Sequence, residues 1–236
     1  MRRIIFCLAI LTFFCLSFSE NPVSNIVGFV IVSQPAGLSF GSFPFYKSSD
    51  TISGYDLIYN TDNPTFGSSD SDCDKLILFK GERKITYYLD ETSHSWKSVE
   101  NGEDLPYLPA GMGYGIYRKN PCQVIFMGTV NNTSSITVPI FKGYNIISYP
   151  YPTNTDFNWT NINNLIQCKV LHGKNDMILI YENGTYKEFI FDSGSSTWKS
   201  EEDGSILSGE HYQMGKGIIY YHSDVNPIEI TVNKPW

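Results

Sequence analysis

Two tryptophans open the search for chemistry. Trp96 and Trp198 stand in the same local setting, Ser-x-x-Trp-Lys-Ser, 102 residues apart. A flat indole face buries a large area at low entropic cost, which suits a sugar ring as well as a core. The pair is therefore the candidate ligand platform, with Tyr87, Tyr88, Tyr220 and Tyr221 as further aromatic positions. Asp70, Asp72 and Asp74 form an alternating acidic triplet whose oxygens are of the kind that ligate calcium. An EF-hand also needs Gly at loop position six and Glu at twelve, where Lys75 and Gly81 stand, so that motif is excluded. A solvated acidic loop is the expectation, with calcium the one cofactor the residues suggest.

Catalytic patterns are sparse. Asp90, Asp192, Glu100 and Glu202 recur at the 102-residue spacing and invite a glycosidase pairing. They flank turn-forming stretches such as Ser193-Gly194-Ser195 and Asn101-Gly102, which predicts structural work. His94, His172, His211 and His222 have no repeat-equivalent histidines, and no Gly-x-Ser-x-Gly elbow or His-Glu-x-x-His helix occurs. Gly113-x-Gly115 and Gly215-x-Gly217 lead into extended apolar residues where a phosphate loop needs a helix N-terminus. They predict close backbone approach in strands.

The elements that must position these residues follow from repetition. Displaced by 102 positions, Asp74 to Ile116 align without a gap on Asp176 to Ile218, with 13 identities in 43 positions. Among them are Asp74/Asp176, Asp90/Asp192, Ser93/Ser195, Trp96/Trp198, Gly102/Gly204, Met112/Met214, Gly113/Gly215 and Gly115/Gly217. Chance gives about three at ordinary composition. Upstream the displacement is 106, pairing Gly37/Gly143, Ser42/Ser148 and Pro44/Pro150. The chain reads as a tandem duplication.

Each copy reads as strands and turns. Leu76–Phe79 and Ile178–Tyr181 are short apolar runs ending at Gly81 and Asn183-Gly184, a hairpin signal. Ile85, Tyr87 and Leu89 share one face of the return strand, and Phe189 and Phe191 hold it in the second copy. Helix is scarce, the best candidate following Thr160.

Composition narrows the class. The chain has 236 residues, 15% of them aromatic and 17% charged, with a formal net charge of −7. That is enough burial for real cores and the wrong sign for nucleic acid. Residues 1–19 read as a signal peptide: Arg2 and Arg3, an apolar run from Ile4 to Phe18, then Ser17 and Ser19 before Glu20. No membrane span is expected after its cleavage. Cys73, Cys122 and Cys168 would remain, allowing one disulfide in any of three pairings. Asn131, Asn132, Asn158 and Asn183 begin glycosylation sequons.

The order Gly-aromatic-Asn-Leu-Ile-x-x-Pro, apolar strand and turn, Trp, Gly-x-Gly resembles a tandem-repeat β-rich module of exported bacterial proteins. Gly143-Tyr144-Asn145-Ile146-Ile147-Ser148-Tyr149-Pro150 fits its first element, and Gly37 to Pro44 fits it loosely, with Ser39 for the Asn. The resemblance spans nearly all of the chain after residue 19. It implies an exported β module and no particular activity, since that family is largely uncharacterised.

The expectation is an all-β protein of two tandem modules, residues 26–128 and 129–236, each a β-sandwich or small barrel, packed against each other. It would be secreted or held at the cell surface as a non-catalytic structural or interaction protein. A surface polysaccharide or another extracellular protein is the expected kind of partner. Carbohydrate binding through the tryptophans is the alternative, and a secreted hydrolase the third reading.

Overall fold

In the computed structural model the apolar runs and period-two alternation become antiparallel strands. The structure describes residues 27–45, 51–52, 54–109, 111–130, 133–149, 151, 176–182, 184–192, 194–207 and 214–234. The residues read as a signal peptide, the four sequon asparagines, Cys168, His172, His211 and the helix expected after Thr160 lie outside them.

The first half runs β1 (Val27–Gln34), β2 (Gly37–Gly41), β3 (Thr51–Ile52), the four-residue helix α1 (Asp56–Tyr59), β4 (Lys75–Gly81), β5 (Arg83–Leu89), β6 (Trp96–Ser98), β7 (Leu108–Pro109), β8 (Tyr114–Arg118) and β9 (Cys122–Thr129). The second runs β10 (Ser135–Ile140), β11 (Gly143–Ser148), β12 (Met177–Glu182), β13 (Thr185–Asp192), β14 (Thr197–Ser200), β15 (Gly217–His222) and β16 (Ile228–Asn233). The first half pairs its main strands in the order β2-β8-β4-β5-β6 with a separate β1–β9 ribbon. The second half follows the same order, β11-β15-β12-β13-β14, with a β10–β16 ribbon.

Each ribbon turns its inward side chains onto the face of its own sheet, which makes a sandwich. Val124 and Phe126 pack with Leu76, Leu89, Trp96 and Ile116, and Val138 and Ile230 pack with Ile178, Phe189, Trp198 and Tyr220. None of the described sheets closes into a barrel. The two five-stranded sheets become one of ten strands because β11 pairs with β4 through Tyr144–Gly81 and Asn145–Lys80. Two equivalent backbone bonds clasp the halves. Ser42 N–H donates to Gly215 O at 3.0 Å, and Ser148 N–H donates to Gly111 O at 2.9 Å.

That clasp revises the alignment of the glycine motif. By strand pairing, Gly111 and Gly113 occupy the positions of Gly215 and Gly217, a displacement of 104, whereas the gapless displacement of 102 pairs Gly113 with Gly215. Glycines repeating every second residue match under either displacement, so the sequence alone admits a two-residue slip. Close approach explains the residue type. A Cβ at Gly217 would sit 2.5 Å from Gly41 O, and one at Gly113 2.5 Å from Ile146 Cγ2.

Candidate binding site

The repeated aspartates hold turns. Asp90 Oδ2 accepts from Ser93 N–H and Ser93 Oγ–H, and Asp192 accepts from Gly194 N–H and Ser195 Oγ–H. Ser98 and Ser200 each accept at Oγ from the backbone N–H two residues on. His94 and Ser196 share the same left-handed conformation in these turns, at φ 51° and 53°. Hydrogen bonds from Ser93 lower the Asp90 pKa, and the Lys199 ammonium, followed by Ser195, holds Asp192 below the usual carboxylate range.

Both tryptophans are core residues, 2% and 3% exposed. Trp96 donates Nε1–H to Gly54 O at 3.1 Å, and Trp198 packs edge-on against Phe191 and Tyr220. A stacking platform needs an open face, so neither indole is one. The acidic triplet also comes apart. Asp74 is buried in an ion pair, Asp70 faces Lys75 at 3.9 Å, and Asp72 points to solvent. Among the described residues no group of three His, Cys, Asp or Glu side chains converges on a metal position. Of the three candidate disulfide partners, Cys73 and Cys122 are buried free thiols, and burial pushes both thiol pKa values up.

Sequence reading missed the two buried charge clusters, because their members are separated by more than 40 residues. In the first half Arg118 is fully buried. Its Nη1 donates to Asp74 Oδ2 at 2.7 Å and its Nε to Gln34 Oε1 at 2.8 Å, while Nη2 reaches Leu57 O at 3.0 Å. Asp74 also accepts from Lys119 N–H and Thr65 N–H. The equivalent position on β15 is His222, whose Nδ1 lies 3.1 Å from Asp176 Oδ2 and whose Nε2 lies 2.9 Å from Asn226 O. Tyr220 Oη–H and Ser223 donate to the same carboxylate, and burial, then the Asp176 charge, push the Tyr220 pKa up. These clusters are closed structural networks.

Open space lies where the halves meet. A cavity of about 320 Å³ is walled by β4 and β5, residues 106–109 with Met112, and the β10–β11 hairpin, with Leu78, Phe79, Ile85, Phe141 and Ile146 also in its lining. A smaller cavity of about 160 Å³ lies between β12 and the β1–β2 hairpin. Strand pairing makes the two equivalent. Leu78, Phe79, Lys80, Met112, Ile140, Asn145 and Ile146 in the first correspond to Ile180, Tyr181, Glu182, Lys216, Gln34, Ser39 and Phe40 in the second. The first is predominantly apolar; the second mixes polar and apolar groups, with the Phe40 ring edge-on to Tyr181 at 5.7 Å on its wall. A third cleft, about 350 Å³, opens beside Trp96 between Tyr55, Ser93, His94, Ser95 and Asp104.

The ribbons differ on their outer faces. On β1–β9 the outward cross-strand pairs are Phe29–Met127 and Ile31–Ile125, 71%, 47%, 52% and 38% exposed. The equivalent pairs on β10–β16 are Ser135–Asn233 and Thr137–Thr231.

Among the described residues no helix is long and apolar enough to cross a membrane. No family model, curated protein or solved structure matches the chain.

Proposed function

We propose that this chain is an exported, non-catalytic interaction protein built from two copies of one β module, with self-association as its first interaction. The single observation that carries this reading is the outward face of the β1–β9 ribbon. Four large apolar side chains stand in solvent there, while the same positions of the other ribbon are Ser, Thr, Thr and Asn. The scaffold therefore folds with a polar outer face, and the apolar one is free to serve recognition. The face is uncharged in a chain of net charge −7, so a second copy meets it without like-charge repulsion at the contact. Phe29 opposite Met127 and Ile31 opposite Ile125 make it self-complementary under a two-fold axis. Four side chains fall short of the roughly 800 Å² per partner of a standard interface, so the association is weak and concentration-dependent. The matched pairing order of the halves supports the duplication, and the signal-like residues 1–19 support export. The engagement of Asp90 and Asp192 in turns supports a non-catalytic role.

The test borrows the second ribbon's own residues: Phe29→Ser, Ile31→Thr, Ile125→Thr and Met127→Asn together. Sedimentation velocity over a concentration series should show reversible dimers of the parent chain and monomers of the variant. A parent chain that stays monomeric throughout overturns the reading. A second reading, carbohydrate binding, is favoured by the polar cleft beside Trp96, where the Tyr55 ring is 53% exposed. Saturable binding of one soluble polysaccharide, lost in Tyr55→Ala, would put it first.

A further inference from the structure

We infer that the apolar cavity between β4–β5 and the β10–β11 hairpin is a binding site for a small anionic amphiphile, a molecule with an apolar body and a carboxylate-like head. The body is specified by the lining. Leu78, Ile85, Met112, Phe141 and Ile146 offer hydrocarbon and sulfur with few polar atoms. At about 320 Å³ the space falls at the lower end of ligand pockets and holds roughly ten non-hydrogen atoms at about 30 Å³ each.

The head is specified by a charge difference between equivalent places. In the smaller cavity Glu182 and Lys216 stand across from each other, 3.9 Å apart, and neutralise one another. In the larger cavity those positions are Lys80 and Met112. Lys80 therefore lacks the counter-charge its position has in the other half, and it makes no ion pair among the described residues. Its Nζ lies 5.2 Å from the centre of the Phe141 ring, on the cavity wall. The neighbouring acid, Glu82, is taken by Lys142 at 2.7 Å. An uncompensated ammonium at the rim of an apolar cavity selects an anion carried on a hydrophobic body. The site shares no residue with the outward face of the β1–β9 ribbon, so the two proposals stand or fall separately.

The probes are octanoate, octanol and octylamine, titrated into the full chain after signal removal. Binding is read by calorimetry and by the ¹³C-methyl resonance of Met112, which lines the cavity. Octanoate should bind with one site and a dissociation constant between about 10 µM and 1 mM, moving the Met112 signal. Lys80→Met, an exposed substitution that leaves the core intact, should weaken octanoate about five-fold and leave octanol unchanged. Lys80→Glu should reverse the preference toward octylamine. Equal binding of octanoate and octylamine overturns the proposal, as does an octanoate affinity indifferent to Lys80, a Met112 signal that never moves, or no saturable binding at all.

Discussion

The two halves agree in their turns and differ in their cavities and faces. Asp90 and Asp192, Ser93 and Ser195, Ser98 and Ser200, Gly102 and Gly204 keep the same residue because the same backbone geometry requires it. Three other equivalent places hold different chemistry: Arg118 against His222 under the ribbon, Lys80 and Met112 against Glu182 and Lys216 in the cavity, and Phe29 against Ser135 outside. Identity between the halves thus marks what the fold needs. Arg118 and His222 are two ways of holding one buried carboxylate, whereas the departures in the cavity and on the outer face lie where one half is released from the fold's demands, and there recognition has room to arise.

The buried charges should show the widest difference in stability between the halves. Arg118→Met should cost about 3–5 kcal/mol in urea unfolding, since it strands the Asp74 charge and unpairs Gln34 and Leu57. His222→Leu should cost about 1–3 kcal/mol, because Asp176 keeps donors from Tyr220 and Ser223. Equal losses would mean the two clusters are energetically interchangeable. Next comes a glycine pair. Gly37 and Gly143 both lie at positive φ, 91° and 99°, but a Cβ on Gly37 meets nothing while one on Gly143 lands 2.6 Å from Gly81 backbone. Gly37→Ala should cost about 1–2 kcal/mol of left-handed strain, and Gly143→Ala that plus about 1–3 kcal/mol of crowding, measured by thermal unfolding. Similar values would show that the β11–β4 seam yields freely.

The smallest effect concerns one lysine with two partners. Lys97 pairs with Asp104 at 3.0 Å, while its equivalent Lys199 turns to Asp192, because Ile206 stands where Asp104 does. Asp192 therefore has a lowered folded pKa, caused first by Lys199. Its contribution is present above the ordinary carboxylate range and is lost as pH falls through the folded value. Asp192→Asn should lower the melting temperature most at neutral pH, with the gap narrowing steadily as the pH falls below the ordinary carboxylate range. A gap of the same size at about pH 7 and about pH 2 would remove the ion pair from the explanation.

Much of the fold was legible because strands announce themselves locally. Leu76–Phe79 and Ile178–Tyr181 fall within β4 and β12, and Tyr87 and Leu89 face the core with Phe189 and Phe191 as their period-two alternation requires. The sites were not legible. Trp96 and Trp198 look the same in sequence whether a cleft or a core receives them, and only burial decides. Arg118 reads as one more surface cation until the fold brings Asp74, 44 residues away, to its guanidinium. The unequal cavities are visible only after the displacement along the chain is seen to change from 102 to 104 to 106 between strands.

The pairing of β11 with β4 also sets what each half would be by itself. Alone, β11 would be an open edge strand, and the Lys80–Gly81 end of β4, which runs past its pairing with β8, would be uncovered, so N–H and C=O groups there could pair with other molecules. In the intact chain the partner edge is tethered by the short connection from Thr129 to Ser135, at an effective concentration on the order of millimolar. A neighbouring molecule at ordinary abundance cannot compete with that, so each half serves as the other's guard against aggregation.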